Sequence, residues 1–293
     1  MGSVAGKTAF ITGGAQGIGA EVARRLHARG ANLVLTDVDE GPLTALAEEL
    51  GGARVHIEIA DVRSLPAMEA AAAHGVEKFG GIDIVLANAG ISAYGSVLQV
   101  DPVAFRRLMD VNVTGVFHTV RATLPAVLER RGYVLIVSSL AAYAAAPGLA
   151  PYNASKAAVE HFANALRLEV AYRGVDVGSA HMSWIDTPLV QDAKKDLSTF
   201  GEMVSKLPYP LSTTTSVQAC GKAVVAGIEG RKRRVNCPGW VGAVRVLKPL
   251  LSTPVGEAPV LRFVPDLLPR MDAQVAALGR SMSARNRSGD PES

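Results

Sequence analysis

The sequence predicts an α/β fold in which a doubly wound parallel sheet carries helices on both faces. Apolar runs rich in Val, Ile and Leu alternate along the chain with helical patterns. The runs are continuous rather than alternating, which is typical of strands buried on both faces. Six of them are predicted strands, at residues 8–13, 32–37, 53–61, 83–90, 133–139 and 175–182. Sheets of this kind bind ligands at the carboxyl ends of their strands.

Helices are predicted between these strands. They cover about 17–29, 42–50, 66–79, 101–130 and 152–172, and a further helix at 216–229 precedes a last strand at RVNCP. Such strand–helix–strand alternation, with right-handed crossovers, gives the doubly wound arrangement. Residues 1–239 are therefore expected to form one domain.

The C-terminal part of the chain differs from this domain. Residues 240–280 form an extension that is apolar, basic and interrupted by prolines, and the polar residues 281–293 are expected to be a disordered tail. Trp240, Val244 and Leu247 share one helical face, and Pro249 is expected to end that helix. Three roles for the extension remain open: a substrate lid, an oligomer contact or a patch that lies on a membrane surface.

Composition excludes several classes of protein. The 293 residues are 48% hydrophobic, which is enough for a full core, and the formal net charge of +3 gives no case for nucleic-acid binding. Two cysteines without metal-ligand spacing suggest neither a zinc site nor a disulfide framework, and the histidines have no ligand-like partners, so no metal is expected. The N-terminus carries no signal-peptide pattern and no apolar run is long enough to span a membrane, so a cytoplasmic protein is expected.

A glycine-rich loop follows the first predicted strand. The segment TGGAQGIG, residues 12–19, leads directly into a helix. Its glycines let the backbone turn tightly and approach a diphosphate, while the helix N-terminus supplies free N–H groups and a positive dipole end. Residues 1–239 are therefore interpreted as a dinucleotide-binding catalytic domain. The loop residues assigned to the cofactor are Gly13, Gln16, Gly17, Ile18 and Gly19.

An acidic residue ends the second predicted strand. Asp37 lies 18 residues after Gly19, where a carboxylate would bind the hydroxyls of the adenosine ribose. A 2′-phosphate at this place would meet a like charge, and no basic residue follows in the sequence, where Val38 and Asp39 stand. NAD(H) is therefore predicted in preference to NADP(H). The alternative is that Asp37 is a simple strand-end residue.

Tyr152 and Lys156 are four residues apart at the start of a predicted helix, so they share one face. A free tyrosine has a pKa of about 10, and a neighbouring ammonium group stabilises its phenolate. The pair could therefore exchange a proton with an alcohol or carbonyl oxygen. By spacing alone, however, such a pair is more often an ordinary solvated surface pair.

Several further motifs occur in order. After TGGAQGIG come Asp61, the NAG at 88–90, Asn112, a serine at the end of the fifth strand, and YNASK. Over residues 6–235 the chain resembles the short-chain dehydrogenase/reductase family. The resemblance implies a Rossmann-type fold, hydride transfer between a nicotinamide and a carbonyl or alcohol carbon, and a homodimer or homotetramer that acts on a small molecule.

The resemblance also implies roles for the catalytic residues. Tyr152 would be the acid/base, and Lys156 would lower its pKa and hold the nicotinamide ribose. Ser139 would bond the substrate oxygen, since strand alternation turns Ser138 to the other face. Asn112 would hold a water that links Lys156 to solvent.

Further cofactor contacts are carried over in the same way. Asn88, Ala89 and Gly90 would pass beneath the adenine-side ribose, and Asp61 and Val62 would flank the adenine. Ile185 and Thr187 would bond the carboxamide.

The substrate pocket is expected to include Ser139, Tyr143, Ser183 and Trp184. The chain departs from the family here, because Met182 and Ser183 stand where Pro-Gly is usual. A larger residue at 183 would narrow the space beside the nicotinamide. For Trp184, a place in the core or a lid is the equal alternative.

The sequence therefore predicts an NAD-dependent oxidoreductase that acts on a secondary alcohol or ketone. A hydrophobic, steroid-like or lipid-like substrate is favoured, because the extension exceeds what the minimal fold needs. A 3-oxoacyl carrier-protein reductase is the alternative enzyme, and a non-catalytic NAD-sensing protein is the alternative from another class.

Overall fold

The computed structural model describes residues 2–287, with the backbone alone at residue 287. Seven strands form one sheet in the order β3-β2-β1-β4-β5-β6-β9, and every neighbouring pair in it is parallel. The strands of this sheet are β1 Thr8–Thr12, β2 Asn32–Asp37, β3 Val55–Ile59, β4 Ile84–Ala87, β5 Tyr133–Val137, β6 Asp176–Met182 and β9 Arg234–Cys237. The predicted doubly wound parallel α/β fold is confirmed.

Helices cover both faces of the sheet. One layer consists of α1 Gly17–His27, α2 Glu40–Leu50 and α9 Val217–Glu229. The other consists of α3 Leu65–Phe79, α5 Gly115–Glu129 and α6 Ala150–Val170. Each strand serves both layers because successive side chains point to opposite faces. In β1, for example, Ile11 packs into the first layer and Phe10 into the second, and both are fully buried.

The predicted helix over 101–130 is divided. It consists of α4 Pro102–Met109, a π-helical turn at Asp110–Thr114, and α5. Asn112 lies in that turn and is fully buried. Single π-helical turns inside α-helices often occur at functional sites, and this one presents an amide to the interior rather than to solvent.

The segment between β6 and α9 has structure that the sequence analysis did not predict. It contains α7 Pro188–Asp196 and α8 Ser198–Lys206, and a short parallel ladder between β7 Trp184–Ile185 and β8 Thr214–Thr215. These elements are short and flanked by prolines, so their hydrophobic periodicity is too brief to identify them.

The extension is helical. It contains α10 Val241–Leu251, α11 Pro254–Leu261 and α12 Val264–Leu278. Pro249 lies inside α10, so the prediction that it ends the helix is wrong. Proline has no N–H, so the carbonyl of Arg245, four residues before Pro249, lacks its usual helical donor. Because Arg245 is exposed, water can donate to this carbonyl instead. α12 packs against α8, and Leu267, Met271 and Val275 are buried between them.

The disordered tail predicted for residues 281–293 begins too early in the chain. Ser281, Met282 and Ser283 are buried, and a short helix, α13 Ala284–Arg287, follows them. These polar residues are ordered because distant loops supply hydrogen-bond partners, as described below. Residues 288–293 lie outside the described residues. Among residues 2–287, no helix is both long and apolar enough to cross a membrane.

Candidate active site

A cleft opens at the carboxyl ends of the strands, where the chain order in the sheet reverses between β1 and β4. All the predicted cofactor residues line this cleft except Gly19, which packs behind the glycine loop. Ser139, Tyr152 and Lys156 line one end of it, and Asp37, Asp61 and Val62 line the other. The fold therefore brings the two predicted groups of residues into one continuous site.

The glycine loop packs closely on the loop after β4. Gly13 has a φ of +64°, and a Cβ added there would lie 2.9 Å from Ala89 Cα. A Cβ on Gly19 would lie 2.1 Å from the carbonyl oxygen of Gly13. Asn88 holds the two loops together, because its side-chain amide donates to the carbonyls of Thr12 at 3.0 Å and Gly13 at 2.9 Å. The glycines are thus needed for packing as well as for ligand approach.

Asp37 accepts three backbone hydrogen bonds. One oxygen accepts from Ala15 N at 2.9 Å, and the other accepts from Val38 N at 2.8 Å and Asp39 N at 3.2 Å. Burial raises the pKa of Asp37, and these N–H donors act against that rise. A carboxylate has about four acceptor positions. One therefore remains for a ribose hydroxyl, which fits the predicted role.

The end of the cleft that is predicted to hold the adenine is bounded by Asp61 and Val62. The carboxylate of Asp61 pairs with Arg63, whose Nε and terminal nitrogen lie 2.8 and 2.7 Å from it. Burial alone would raise the pKa of Asp61, but the hydrogen bonds and charge of Arg63 hold it below its usual value. The neighbouring Val62 is buried, and its carbonyl contacts His118 Nδ1 at 3.0 Å.

Tyr152 and Ser139 lie close together at the other end of the cleft. Burial raises the pKa of Tyr152, and the nearby hydroxyl of Ser139 acts in the opposite direction. β5 ends at Val137, so both serines follow the strand rather than ending it. Ser138 Oγ donates to the carbonyl of Lys156 at 2.8 Å, away from Tyr152. The two serines therefore diverge as the alternation predicts.

Lys156 is 3% exposed and lies beside Tyr152. Its ammonium nitrogen is 5.5 Å from the centre of the Tyr152 ring and donates to the carbonyl of Val137 at 3.1 Å. Burial lowers the pKa of Lys156 to about 8. A buried cation this close to a phenol stabilises the phenolate, since the opposite charges interact in a medium of low dielectric constant.

Asn112 lies behind Gly90, next to the same lysine. Its side-chain oxygen accepts from Ile91 N at 2.8 Å, and its nitrogen donates to Ile91 O at 2.9 Å and to Ser155 Oγ at 3.0 Å. A Cβ on Gly90 would lie 3.3 Å from Asn112 Oδ1 and 3.4 Å from Lys156 Nζ. The amide and the ammonium thus approach one point behind Gly90. The water that Asn112 is expected to hold stays a prediction.

Comparison with known proteins identifies the family. The family model described as short chain dehydrogenase matches residues 7–198. The chain is a short-chain dehydrogenase/reductase. An uncharacterized NAD-dependent oxidoreductase of Mycobacterium tuberculosis is 35% identical over 207 residues, which cover 65% of this chain and 75% of that protein.

Solved structures of the same family share the fold. A short-chain dehydrogenase/reductase from Burkholderia phymatum in complex with NAD has a TM-score of 0.75 and 25% identity, covering 87% of this chain and 98% of that one. A 3-ketoacyl-(acyl-carrier-protein) reductase from Brucella melitensis complexed with NADH has a TM-score of 0.72 and 28% identity, covering 80% and 97%. This dehydrogenase is therefore an NAD-dependent oxidoreductase.

The prediction that Tyr143 forms part of the substrate wall is wrong. Its ring turns away from the cleft and stacks on His181, with ring centres 4.4 Å apart. It packs in a cluster with Leu140 and Val241 at the start of the extension, and burial raises its pKa above the usual range. The 3-10 turn at Leu140–Ala142 redirects the chain after Ser139, so sequence distance from Tyr152 is a poor guide here.

Trp184 is half-buried and packs against α8. Its indole nitrogen donates to the carbonyl of Leu211 at 2.9 Å, and its ring meets Phe200 of α8 edge-on at 5.5 Å. Ser183, in contrast, lines the cleft, and its Oγ is buried without a hydrogen-bond partner among the described residues.

Ile185 and Thr187 stand beside the glycine loop. Thr187 N donates to Ile185 O at 2.7 Å, and a Cβ on Gly17 would lie 3.5 Å from the Thr187 methyl group. The start of α7 thus faces the start of α1 across the cleft.

Sequence reasoning missed several residues of the cleft. Arg63, Arg107, Arg285 and Asn286 also line it. The two C-terminal residues come from the segment expected to be disordered, and no local pattern indicates their position. His181 does not line the cleft, and its Nδ1 contacts the carbonyl of Ser139 at 3.2 Å. Burial lowers the pKa of His181 to about 4, so the ring is neutral at pH 7.

The expectation that the histidines have no ligand-like partners is also wrong. His56 Nε2 and His74 Nδ1 lie 2.8 and 2.6 Å from the same oxygen of Glu58, outside the cleft. β3 carries His56 and Glu58, and α3 brings His74, 16 positions after Glu58, beside them. They are part of a surface network, and no ion is assigned to it.

Proposed function

We propose that this dehydrogenase interconverts a secondary alcohol and a ketone of a hydrophobic molecule, using NAD(H) in preference to NADP(H). The observation that carries the proposal is the arrangement of Tyr152 between the hydroxyl of Ser139 and the ammonium of Lys156 at one end of the cleft. This arrangement provides a proton acceptor, a group that holds the substrate oxygen, and a cation that stabilises the phenolate.

The residues of the chain would act together on the substrate oxygen. When it is bound, NAD would accept the hydride. In alcohol oxidation, Tyr152 removes the hydroxyl proton as the carbonyl forms, and Ser139 donates a hydrogen bond to the same oxygen. Lys156 stabilises the phenolate form of Tyr152 that accepts this proton, and Asn112 fixes the backbone of Ile91 beside it. In ketone reduction, the same groups would return the proton.

A hydrophobic substrate is supported by the walls around Tyr152. Ile91, Met182, Leu189 and Val190 line the same cleft, and Tyr152 packs against the cluster that α8 and α12 bury. The position of α12 supports the lid among the three roles of the extension. Val246 on α10 and Val255 on α11 are exposed. For those two helices, an oligomer contact and a membrane patch therefore stay open as alternatives.

A panel of alcohols and ketones, followed through NADH absorbance, tests the proposed substrate class. We expect long-chain or polycyclic secondary alcohols to give higher kcat/KM than short polar ones. Each methylene group buried in an apolar pocket contributes about 0.8 kcal/mol, or roughly a factor of four in kcat/KM. Small polar alcohols as the best substrates would contradict the hydrophobic pocket but not the chemistry.

A second candidate is reduction of a 3-oxoacyl carrier-protein substrate. The structural relative from Brucella melitensis has this activity in its name and was solved with NADH. Asp37, which favours NAD, therefore does not argue against this reaction. Acyl thioesters with and without a carrier protein should be included in the same panel, where a clear preference for the carrier-bound form would favour the second candidate.

The choice of NAD is attributed to Asp37. We expect Asp37→Asn to lower the ratio of kcat/KM for NAD to that for NADP by about tenfold or more. A like-charge pair at about 4 Å costs on the order of 4 kcal/mol near a protein surface, and the neutral amide removes this repulsion of the 2′-phosphate. The amide oxygen can keep the bonds from Val38 N and Asp39 N, whereas the amide nitrogen cannot accept the bond from Ala15 N.

Asp266→Asn is the matched control, because Asp266 is exposed on α12 and does not line the cleft. The ratio for this variant should equal that of the wild type. A wild-type enzyme that prefers NADP would show that the assignment of Asp37 is wrong.

We also infer that the chain assembles as a homodimer or homotetramer. Large apolar side chains are exposed on α4, α5 and α6, among them Phe105, Phe117 and Leu168. Burying such side chains against a second copy would remove apolar surface from water. A two-fold axis would place the same patch of each copy in contact.

A further inference from the structure

The C-terminal segment Ser281–Asn286 lies across one side of the cofactor cleft and is fixed at both ends. At its start, Ser281 O accepts from Tyr94 N at 2.8 Å, and Ser281 Oγ accepts from Asp101 N at 3.0 Å. The residue before it, Arg280, pairs with Asp196 at 2.7 Å. Because Ser281 is also buried, this end of the segment belongs to the folded domain.

The other end of the segment is held against the adenine side of the cleft. Arg107 Nε donates to the carbonyl of Asn286 at 2.8 Å, and Asn286 Nδ2 donates to the carbonyl of Ser92 at 3.3 Å. Arg107 is itself buried, so it gives a fixed anchor. These contacts join residues about 180 to 195 positions apart in the chain, and they account for the order of a segment whose composition resembles that of a disordered tail.

Arg285 lies between the two anchors and bridges the two walls of the cleft. Its guanidinium donates to the side-chain oxygen of Gln16 in the glycine loop, and its Nε lies 3.2 Å from a carboxylate oxygen of Asp192 on α7. Arg285, Gln16 and Gly17 all line the cleft. The glycine loop and the start of α1 form the place where a dinucleotide diphosphate binds in this fold.

We propose that Arg285 binds the diphosphate of the cofactor and that Asp192 orients its guanidinium for this role. The inference rests on the proposed use of NAD(H). A guanidinium offers planar, paired N–H donors that match phosphate oxygens, and charge-assisted bonds of this kind are about twice as strong as neutral ones. The diphosphate is therefore a better acceptor for Arg285 than the neutral amide of Gln16. The first turn of α1 contains no acidic residue that would oppose the anion.

The test compares Arg285→Gln with the wild type in the full chain. We expect the Kd for NADH, measured by titration of NADH fluorescence, to rise about tenfold, since a hydrogen bond to a charged group contributes about 1.5–3 kcal/mol. The Kd for ADP-ribose should rise by the same factor, while the Kd for adenosine, which lacks phosphate, should stay unchanged.

Arg262→Gln is the matched control, since Arg262 is an exposed arginine of the extension at the end of α11. Its Kd values should equal those of the wild type. Equal losses for adenosine and ADP-ribose, or a loss confined to ligands with a 2′-phosphate, would overturn the assignment to the diphosphate. Unchanged NADH binding by Arg285→Gln overturns this inference alone, whereas a wild-type protein that binds no NADH overturns the proposed function as well.

Discussion

Replacing Tyr152 by phenylalanine is expected to lower kcat by a factor of about a thousand, within the range by which general acid–base groups contribute to catalysis. The variant keeps the ring, which packs against the cluster under α12, and loses only the hydroxyl that lies beside Ser139. The fold and the cofactor cleft should therefore persist. The measurements are kcat with the best substrate of the panel and the Kd for NADH.

Tyr172→Phe is the matched control, because the Tyr172 side chain is 81% exposed just beyond the end of α6. It should have wild-type activity. Loss of turnover with retained NADH binding in Tyr152→Phe would support an enzyme and argue against a protein that only senses NAD. An unchanged rate would show that Tyr152 is not the acid/base.

Replacing Lys156 by methionine is expected to lower kcat for alcohol oxidation about a hundredfold at neutral pH. The ammonium nitrogen lies 5.5 Å from the centre of the Tyr152 ring. Opposite charges about that far apart attract each other by about 3 kcal/mol at an effective dielectric constant of about 20, which corresponds to about two pH units. Without the cation, the pKa of Tyr152 rises. The pH at which oxidation reaches half its maximal rate should therefore move upward in the variant.

The same substitution should affect stability in the opposite direction. Burial lowers the pKa of Lys156 to about 8 in the fold, whereas an unfolded lysine titrates at about 10.4. Below about pH 8 the buried ammonium costs about 3 kcal/mol, and removing it should offset the lost bond to Val137 O. Between about pH 8 and 10.4 the unfolded chain binds more protons than the folded one, so the wild type gains stability with rising pH relative to Lys156→Met.

Chemical denaturation of both proteins at pH 7 and pH 10 measures this effect. The advantage of the methionine variant should be greatest at pH 7 and shrink toward pH 10. Lys222→Met on the exposed face of α9 should show neither the activity loss nor the pH trend. A large loss of stability at pH 7 in Lys156→Met would contradict the cost assigned to the buried cation.

The central fold could be predicted from the sequence because its signals are local. The seven strands of the large sheet are short apolar runs with turns between them, and each predicted run contains the observed strand. The glycine loop, Asp37, Tyr152 and Lys156 likewise stand at fixed places relative to a strand or helix. Their meeting in one cleft follows from parallel strands, whose carboxyl ends share one edge.

The wrong predictions concern side chains whose direction depends on distant packing. Tyr143 was expected in the substrate pocket, but the turn after Ser139 points it toward His181 and the extension. The direction of the Trp184 ring depends on its contact with Phe200 of α8. α8 itself was absent from the prediction.

The sequence by itself determined the doubly wound sheet, the position of the cofactor loop and the pairing of Tyr152 with Lys156, since each depends on periodicity or spacing within a short segment. Only the tertiary structure decided whether the C-terminal residues are ordered and where they lie. Ser281 and Arg285 look like parts of a polar tail, and their order depends on partners such as Tyr94 and Gln16, between about 180 and 270 residues away. Contacts across such distances leave no local pattern, because they are formed by the folding of everything between them.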